Sequence, residues 1–197
     1  AIEDDYDAEY RYDRFPVGAL QGLDPDRFVY GGSASKTLAP ALRIGWLVVP
    51  HILLEGIARE KMLADRGTAR LAQFALADFV DRGELDRHLR RMRVRYRRRR
   101  EALLEALAEK IPEASVDGIA AGLHAVIRLP EDHDEGAILE QVRRRGIAIS
   151  SMGQFLIGPS SGPPTLLLGY AQSPEATIRA GVGSIALAIE VLRLSRS

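Results

Sequence analysis

The apolar and polar positions of this chain change period several times, and each change predicts an element. Residues 1–6 read as the end of a buried strand, and 7–26 as a loop in which Pro16 and Asp24-Pro25 supply turn chemistry. Arg27-Phe28-Val29-Tyr30 reads as a short apolar strand, and residues 44–49 as a second one closed by Pro50. Helices are predicted over about 51–62 and 68–81, punctuated by Gly67 and Gly83. From 84 to 110, Leu85, Leu89, Met92, Tyr96, Leu103 and Leu107 keep a three- and four-residue rhythm, which lays one apolar face along a single long helix. After Ser115 the pattern becomes a strand over 123–129 ended by Pro130, then an amphipathic helix over 134–145 stopped by Gly146. Residues 147–149 and 165–171 read as further strands. Pro174-Glu175 opens a last helix running to about Leu192. Alternation of this kind predicts an α/β protein. Its expected parts are 1–82, a linking helix over 83–112, and a small α/β domain over 113–197.

Composition narrows the function classes. Lys+Arg and Asp+Glu both number 27, so no global attraction to nucleic acid or anionic membrane is expected. There is no cysteine, which excludes disulfides and thiolate metal sites. No apolar run approaches membrane-spanning length, and hydrophobic residues make up 46%, enough for a packed core; a cytoplasmic location is expected. Arginine carries most of the positive charge, since Lys36, Lys61 and Lys110 are the only lysines. The densest basic stretch, residues 90–100, lies on the long helix, where the arginines are expected to fill solvated sides of a scaffold rather than contact DNA. His51, His88 and His133 are scattered without metal-ligand spacing, and His124 reads as a structural histidine on a strand.

Candidate chemistry lies in the first 43 residues. Ser33-Ala34-Ser35-Lys36 is followed by Arg43 and preceded by Glu3-Asp4-Asp5-Tyr6. A lysine with a lowered pKa attacks carbonyls, a guanidinium fork suits phosphate, and short hydroxyls serve the remaining phosphate oxygens. A carboxylate keeps a pyridine nitrogen protonated, and a tyrosine hydroxyl reaches a phenolic oxygen. Together these meet the demands of pyridoxal 5'-phosphate (PLP). Asp4 and Asp5 are both candidates for the ring nitrogen, and Asp4, two residues before Tyr6, is preferred.

The stretches 2–13, 19–26 and 30–50, with Gly122-Leu123-His124 and Gly146–Ser150, resemble the aminotransferase-like region of the MocR regulators. These are bacterial transcription factors of the GntR superfamily that join a winged-helix DNA-binding domain to a fold type I PLP domain. The resemblance implies Lys36 as the aldimine lysine, Asp4 on the pyridine nitrogen, Tyr6 near the ring hydroxyl, and Ser33, Ser35 and Arg43 on the phosphate. It also implies part of a large PLP-binding domain over 1–82, a small domain at the C-terminus, a homodimer, and an amine or amino-acid effector. DNA would be bound only through a winged helix outside this chain, and the 197 residues are expected to be the C-terminal portion of a longer protein.

One position departs from the related enzymes. In aminotransferases of this type a late strand of the pattern Arg-x-x-x-Ala holds the substrate's α-carboxylate. Here Leu167 stands four residues before Ala171. A leucine cannot pair with a carboxylate. Either the ligand lacks that group, or another arginine such as Arg128 or Arg179 reaches in, or the site senses PLP itself. The alternative to a regulator's sensing domain is part of a stand-alone aminotransferase, in which Lys36 also moves a proton.

Overall fold

Two sheets organise the chain, one in each of two compact units, Ala1–Arg93 and Val94–Ser197. The computed structural model describes residues 1–5, 9–12, 18–117, 122–130, 133–157 and 162–195.

In the first unit, β1 (Ile2–Asp5), β2 (Val29–Ser33) and β3 (Gly45–Val48) form a sheet in that order. β2 runs parallel to β1, with Asp4 beside Gly31, and antiparallel to β3, with Gly32 beside Trp46 and Ser33 beside Gly45. The strand expected at 27–30 therefore lies two to three residues later and takes in two glycines. Their reason is local: a Cβ on Gly32 would run into the Trp46 indole, so that cross-strand pair closes only over a glycine. Lys36, expected on a loop, sits instead on a single helical turn, α1 (Ala34–Thr37). Ser33 caps it, its Oγ accepting from the Ser35 N–H at 3.1 Å. The helices α2 (His51–Asp65) and α3 (Arg70–Asp81) follow close to expectation. Neither buries a residue among those described, and Ile52 and Leu71 are 88% and 84% exposed.

The long helix α4 (Glu84–Lys110) has the bounds that its rhythm predicts, and the division between the units falls within it. In the second unit come β4 (Ser115–Asp117), β5 (His124–Arg128), α5 (Glu135–Arg144), β6 (Ser150–Ser151), β7 (Thr165–Gly169) and α6 (Glu175–Leu194). The sheet order is β4-β5-β7-β6, and each pairing is antiparallel. The strand expected at 147–149 is not one. Gly146 closes α5 at a φ of 75°, and the Ile147 N–H donates back to the Val142 carbonyl at 3.2 Å. That ties the segment to the helix end, so pairing with β7 starts only at Ser150.

Alternation places the core of this unit. Ala125 and Ile127 on β5, with Leu166 and Leu168 on β7, point to one face. Against it α6 turns Ile178, Val182, Ile185 and Ile189, α5 turns Ile138 and Val142, and α4 turns Leu103 and Leu107. Each fully buried isoleucine or leucine contributes about 1.5–3 kcal/mol. Asp134 caps α5, its Oδ1 accepting from the Ala137 N–H at 3.0 Å.

Candidate functional site

Topology gathers the candidate residues at one end of the first sheet. β1 and β2 are parallel and β3 runs back, so the ends of β1 and β2 lie beside the start of β3. That end carries Asp4 and Asp5, then Ser33, then the α1 turn with Ser35 and Lys36. The Ala34 N–H donates to the Ile44 carbonyl at 3.0 Å, which closes residues 34–44 into a loop and brings Gly45, two residues after Arg43, beside Ser33. Arg43 has a φ of 52° and a ψ of 34°, the left-handed region that a residue with a Cβ rarely adopts. Strain of this kind persists only where its surroundings fix it, and it clusters at functional sites. Lys36 and Arg43 are both exposed, and neither side chain has a hydrogen-bond or ion-pair partner among the described residues.

The turn under Lys36 is pinned from behind. Thr37 is buried, and its carbonyl accepts from the hydroxyl of fully buried Tyr10 at 3.2 Å. Nε2 of His88, on α4, lies 2.9 Å from the same oxygen. Sequence reasoning did not single out Tyr10 or Thr37 and set His88 aside. Nothing in the spacing signals a histidine 51 residues away from the carbonyl it meets.

The acids of β1 divide by face. Glu3 Oε2 accepts from the Gln21 N–H at 3.2 Å, and Asp5 Oδ2 accepts from the Tyr30 hydroxyl at 3.3 Å. Burial, and then the Asp5 carboxylate, push the Tyr30 hydroxyl above its ordinary pKa. Asp4 alternates to the other face and has no such partner among the described residues. It lines an open cavity of about 550 Å³ with Gly31, Gly32, Trp46, Leu54 and Lys61. Ser33, Ser35, Lys36 and Arg43 are not among the walls of that cavity. Tyr6 lies outside the described residues.

The donor set is thus one amine, one guanidinium, two hydroxyls and one uncommitted carboxylate, at or beside one sheet end. That inventory suits an aldehyde-bearing phosphate ester with a basic ring nitrogen.

The sequence pattern of aminotransferases of class I and II matches residues 12–185. The chain belongs to that family. Among curated proteins it is 36% identical over 187 residues to the uncharacterized HTH-type transcriptional regulator YhdI of Bacillus subtilis, covering 92% of this chain and 39% of the relative. It is 35% identical over 198 residues to the probable rhizopine catabolism regulatory protein MocR of Rhizobium meliloti, covering 98% and 40%. The chain therefore spans about two fifths of the length of these relatives, and it corresponds to the aminotransferase-like part of MocR-type regulators. Among solved structures, the multiple substrate aminotransferase of Thermococcus profundus superposes with a TM-score of 0.89 at 30% identity, over 100% of this chain and 49% of that one. The fold is that of the PLP-dependent transferases of fold type I, a fold that implies PLP.

Within this family the β7 position is informative. Leu167 is half-buried between Val126 on β5 and Ser150 on β6. Both arginines offered above as stand-ins are engaged by acids. Arg128 pairs with Asp117 at 2.9 Å and Arg179 with Glu105 at 2.7 Å. Among the described residues, no group of three or more His, Asp or Glu could hold a metal ion, and no helix is long and apolar enough to cross a membrane.

Proposed function

We propose that this chain is the PLP-binding, effector-sensing domain of a cytoplasmic bacterial transcriptional regulator, with Lys36 as the covalent anchor of the cofactor. The observation that carries it is the convergence of Ser33, Ser35, Lys36 and Arg43 on one closed loop, with charged ends that no described residue neutralises. PLP bound there supplies a reactive aldehyde and an electron-withdrawing ring. Arg43 and the two serine hydroxyls hold its phosphate. Asp4 keeps a proton at the ring nitrogen, and Tyr6 is assigned to the phenolic oxygen by sequence position. Tyr10 and His88 act as positioning residues, because they fix the carbonyl next to Lys36.

The remaining assignments belong to the same reading. Residues 1–82 are part of the large PLP domain, 83–112 the linking helix and 113–197 the small domain. The effector is an amine or amino acid, and the assembly a homodimer. DNA is bound through a winged-helix domain outside this chain, and no membrane is involved. An effector that favours one of two conformations shifts their populations by its differential affinity, which is how such a site would act on DNA binding.

A stand-alone aminotransferase is the second reading, favoured by the superposition with the Thermococcus enzyme over the whole chain. Lys36 would then also relay a proton. Leu167, with Arg128 and Arg179 engaged by acids, weighs against it. The test is an absorbance titration of the chain with PLP, followed by addition of α-amino acids and of amines lacking a carboxylate. The regulator reading expects a visible band that Lys36→Ala lacks, perturbed by ligand without release of a keto acid. Steady keto-acid release would establish the enzyme instead. A spectrum identical for both proteins would remove the cofactor reading.

A further inference from the structure

The basic stretch of α4 divides by what its side chains touch. Arg93 Nε donates to the Glu9 carbonyl at 2.6 Å, and Arg99 donates to the Ala171 carbonyl and lies over the Tyr96 ring. Arg90, Arg91, Arg95, Arg97 and Arg98 are all exposed, with no hydrogen-bond or ion-pair partner among the described residues. Several arginines elsewhere pair with acids, as Arg82 does with Asp78, Arg144 with Glu140 and Arg193 with Glu113. The chain as a whole is neutral, so this concentration is local.

Helical spacing makes it a row. Arg91, Arg95 and Arg98 stand at i, i+4 and i+7 on one face, with Arg90 and Arg97 flanking Val94 beside them. At about 1.5 Å of rise per residue the three lie about 6 and 10.5 Å along the axis. Like charges at these separations destabilise a helix. No acid lies between Asp86 and Glu101 to relieve them. Guanidinium forks take phosphate oxygens in bidentate, charge-assisted pairs. A single phosphate would be held in a concave cluster, whereas an open linear row suits a polymer of repeating charge.

Against the sequence-based expectation of a merely solvated scaffold face, we propose that this face of α4 docks the phosphate backbone of double-stranded DNA without reading its sequence, beside a winged helix that reads it. The regulator reading above enters only in the choice of DNA over other polyanions. Each strand of a duplex presents one phosphate per about 3.4 Å of helix axis, a repeating charge within reach of long arginine side chains in such a row. A contact of this kind would add to binding through a separate DNA-binding domain and orient this domain on the duplex.

The test is fluorescence anisotropy of a labelled duplex of arbitrary sequence with this chain over a salt series. Each phosphate contact contributes about −0.9 to the slope of log affinity against log salt. Arg91→Gln/Arg95→Gln/Arg98→Gln should therefore flatten the slope by about 2.7, while the matching lysine triple keeps most of it. Arg27→Gln/Arg143→Gln/Arg144→Gln makes the same charge change at arginines that already have acid partners, and should leave the slope unchanged. Should the glutamine triple fail to fold by circular dichroism, Arg95→Gln alone should flatten the slope by about 0.9. An equal effect of the control triple, no binding by the unsubstituted chain at low salt, or displacement of the duplex by polyglutamate as readily as by unlabelled DNA would each overturn the proposal. None of these results touches the PLP titration, so the two readings fail separately.

Discussion

The hydroxyl of Tyr10 donates to the carbonyl of Thr37 at 3.2 Å, one residue beyond Lys36. Tyr10 is fully buried, so this bond is made where water cannot replace it. It fixes the turn that aims Lys36, with His88 closing on the same oxygen from α4. Tyr10→Phe should cost about 1 kcal/mol of stability, read as a lower urea midpoint at unchanged slope. It should also weaken PLP binding while leaving the site of attachment at Lys36. Unchanged stability and unchanged PLP affinity would show that the turn does not depend on this bond.

Gly32 and Trp46 make a second dependence. A methyl group at position 32 would overlap the indole, so Gly32→Ala should destabilise by about 1–3 kcal/mol. Replacing the indole by a smaller group in the double variant Gly32→Ala/Trp46→Leu should recover part of that loss, as expected for two residues in contact. Thermal unfolding of both variants checks this; strictly additive losses would mean that the ring does not rest on Gly32.

Tyr30 gives the account a pH dependence. Its hydroxyl is raised above the ordinary value of 10.0, first by burial and then by Asp5. A raised tyrosine contributes stability that is fully present below the unfolded pKa and lost as pH rises through the folded one. Unfolding free energy should therefore fall with pH above about 10, and more steeply than in Tyr30→Phe. Parallel curves for the two proteins would show that Asp5 does not hold this hydroxyl in its neutral form.

Leu167 separates sensing from turnover. Placed between Val126 and Ser150, Leu167→Arg puts a guanidinium where the related enzymes are expected to hold a carboxylate. In the full-length protein this change should raise affinity for α-amino acids by about tenfold or more, the 1.4 kcal/mol or larger worth of one charge-assisted pair, or expose transamination. No gain with any amino acid would count against β7 as the carboxylate site.

Sequence patterns conveyed some of this and withheld the rest for physical reasons. The rhythm of α4 and the end of α5 at Gly146 were legible because a long amphipathic face and a glycine stop are local signals. Gly31 and Gly32 looked like the start of a loop. Only the indole from β3 and the pairing with β1 make them the middle of a strand. The apolar alternation at 147–149 promised a strand, but the helix end takes the Ile147 N–H first. At the site, Ser33, Lys36 and Arg43 could be named from their spacing. Tyr10 and His88 could not, because they meet Thr37 only after folding. Between Asp4 and Asp5 the sequence offers no such distinction; only the fold shows the Tyr30 hydroxyl donating to Asp5.

The most direct test of the account is chemical. The 197-residue chain is incubated with PLP, reduced with borohydride, digested, and the modified peptide located by mass spectrometry. One adduct is expected, on Lys36, absent in Lys36→Ala. No adduct, or modification spread over Lys61 and Lys110, would contradict it.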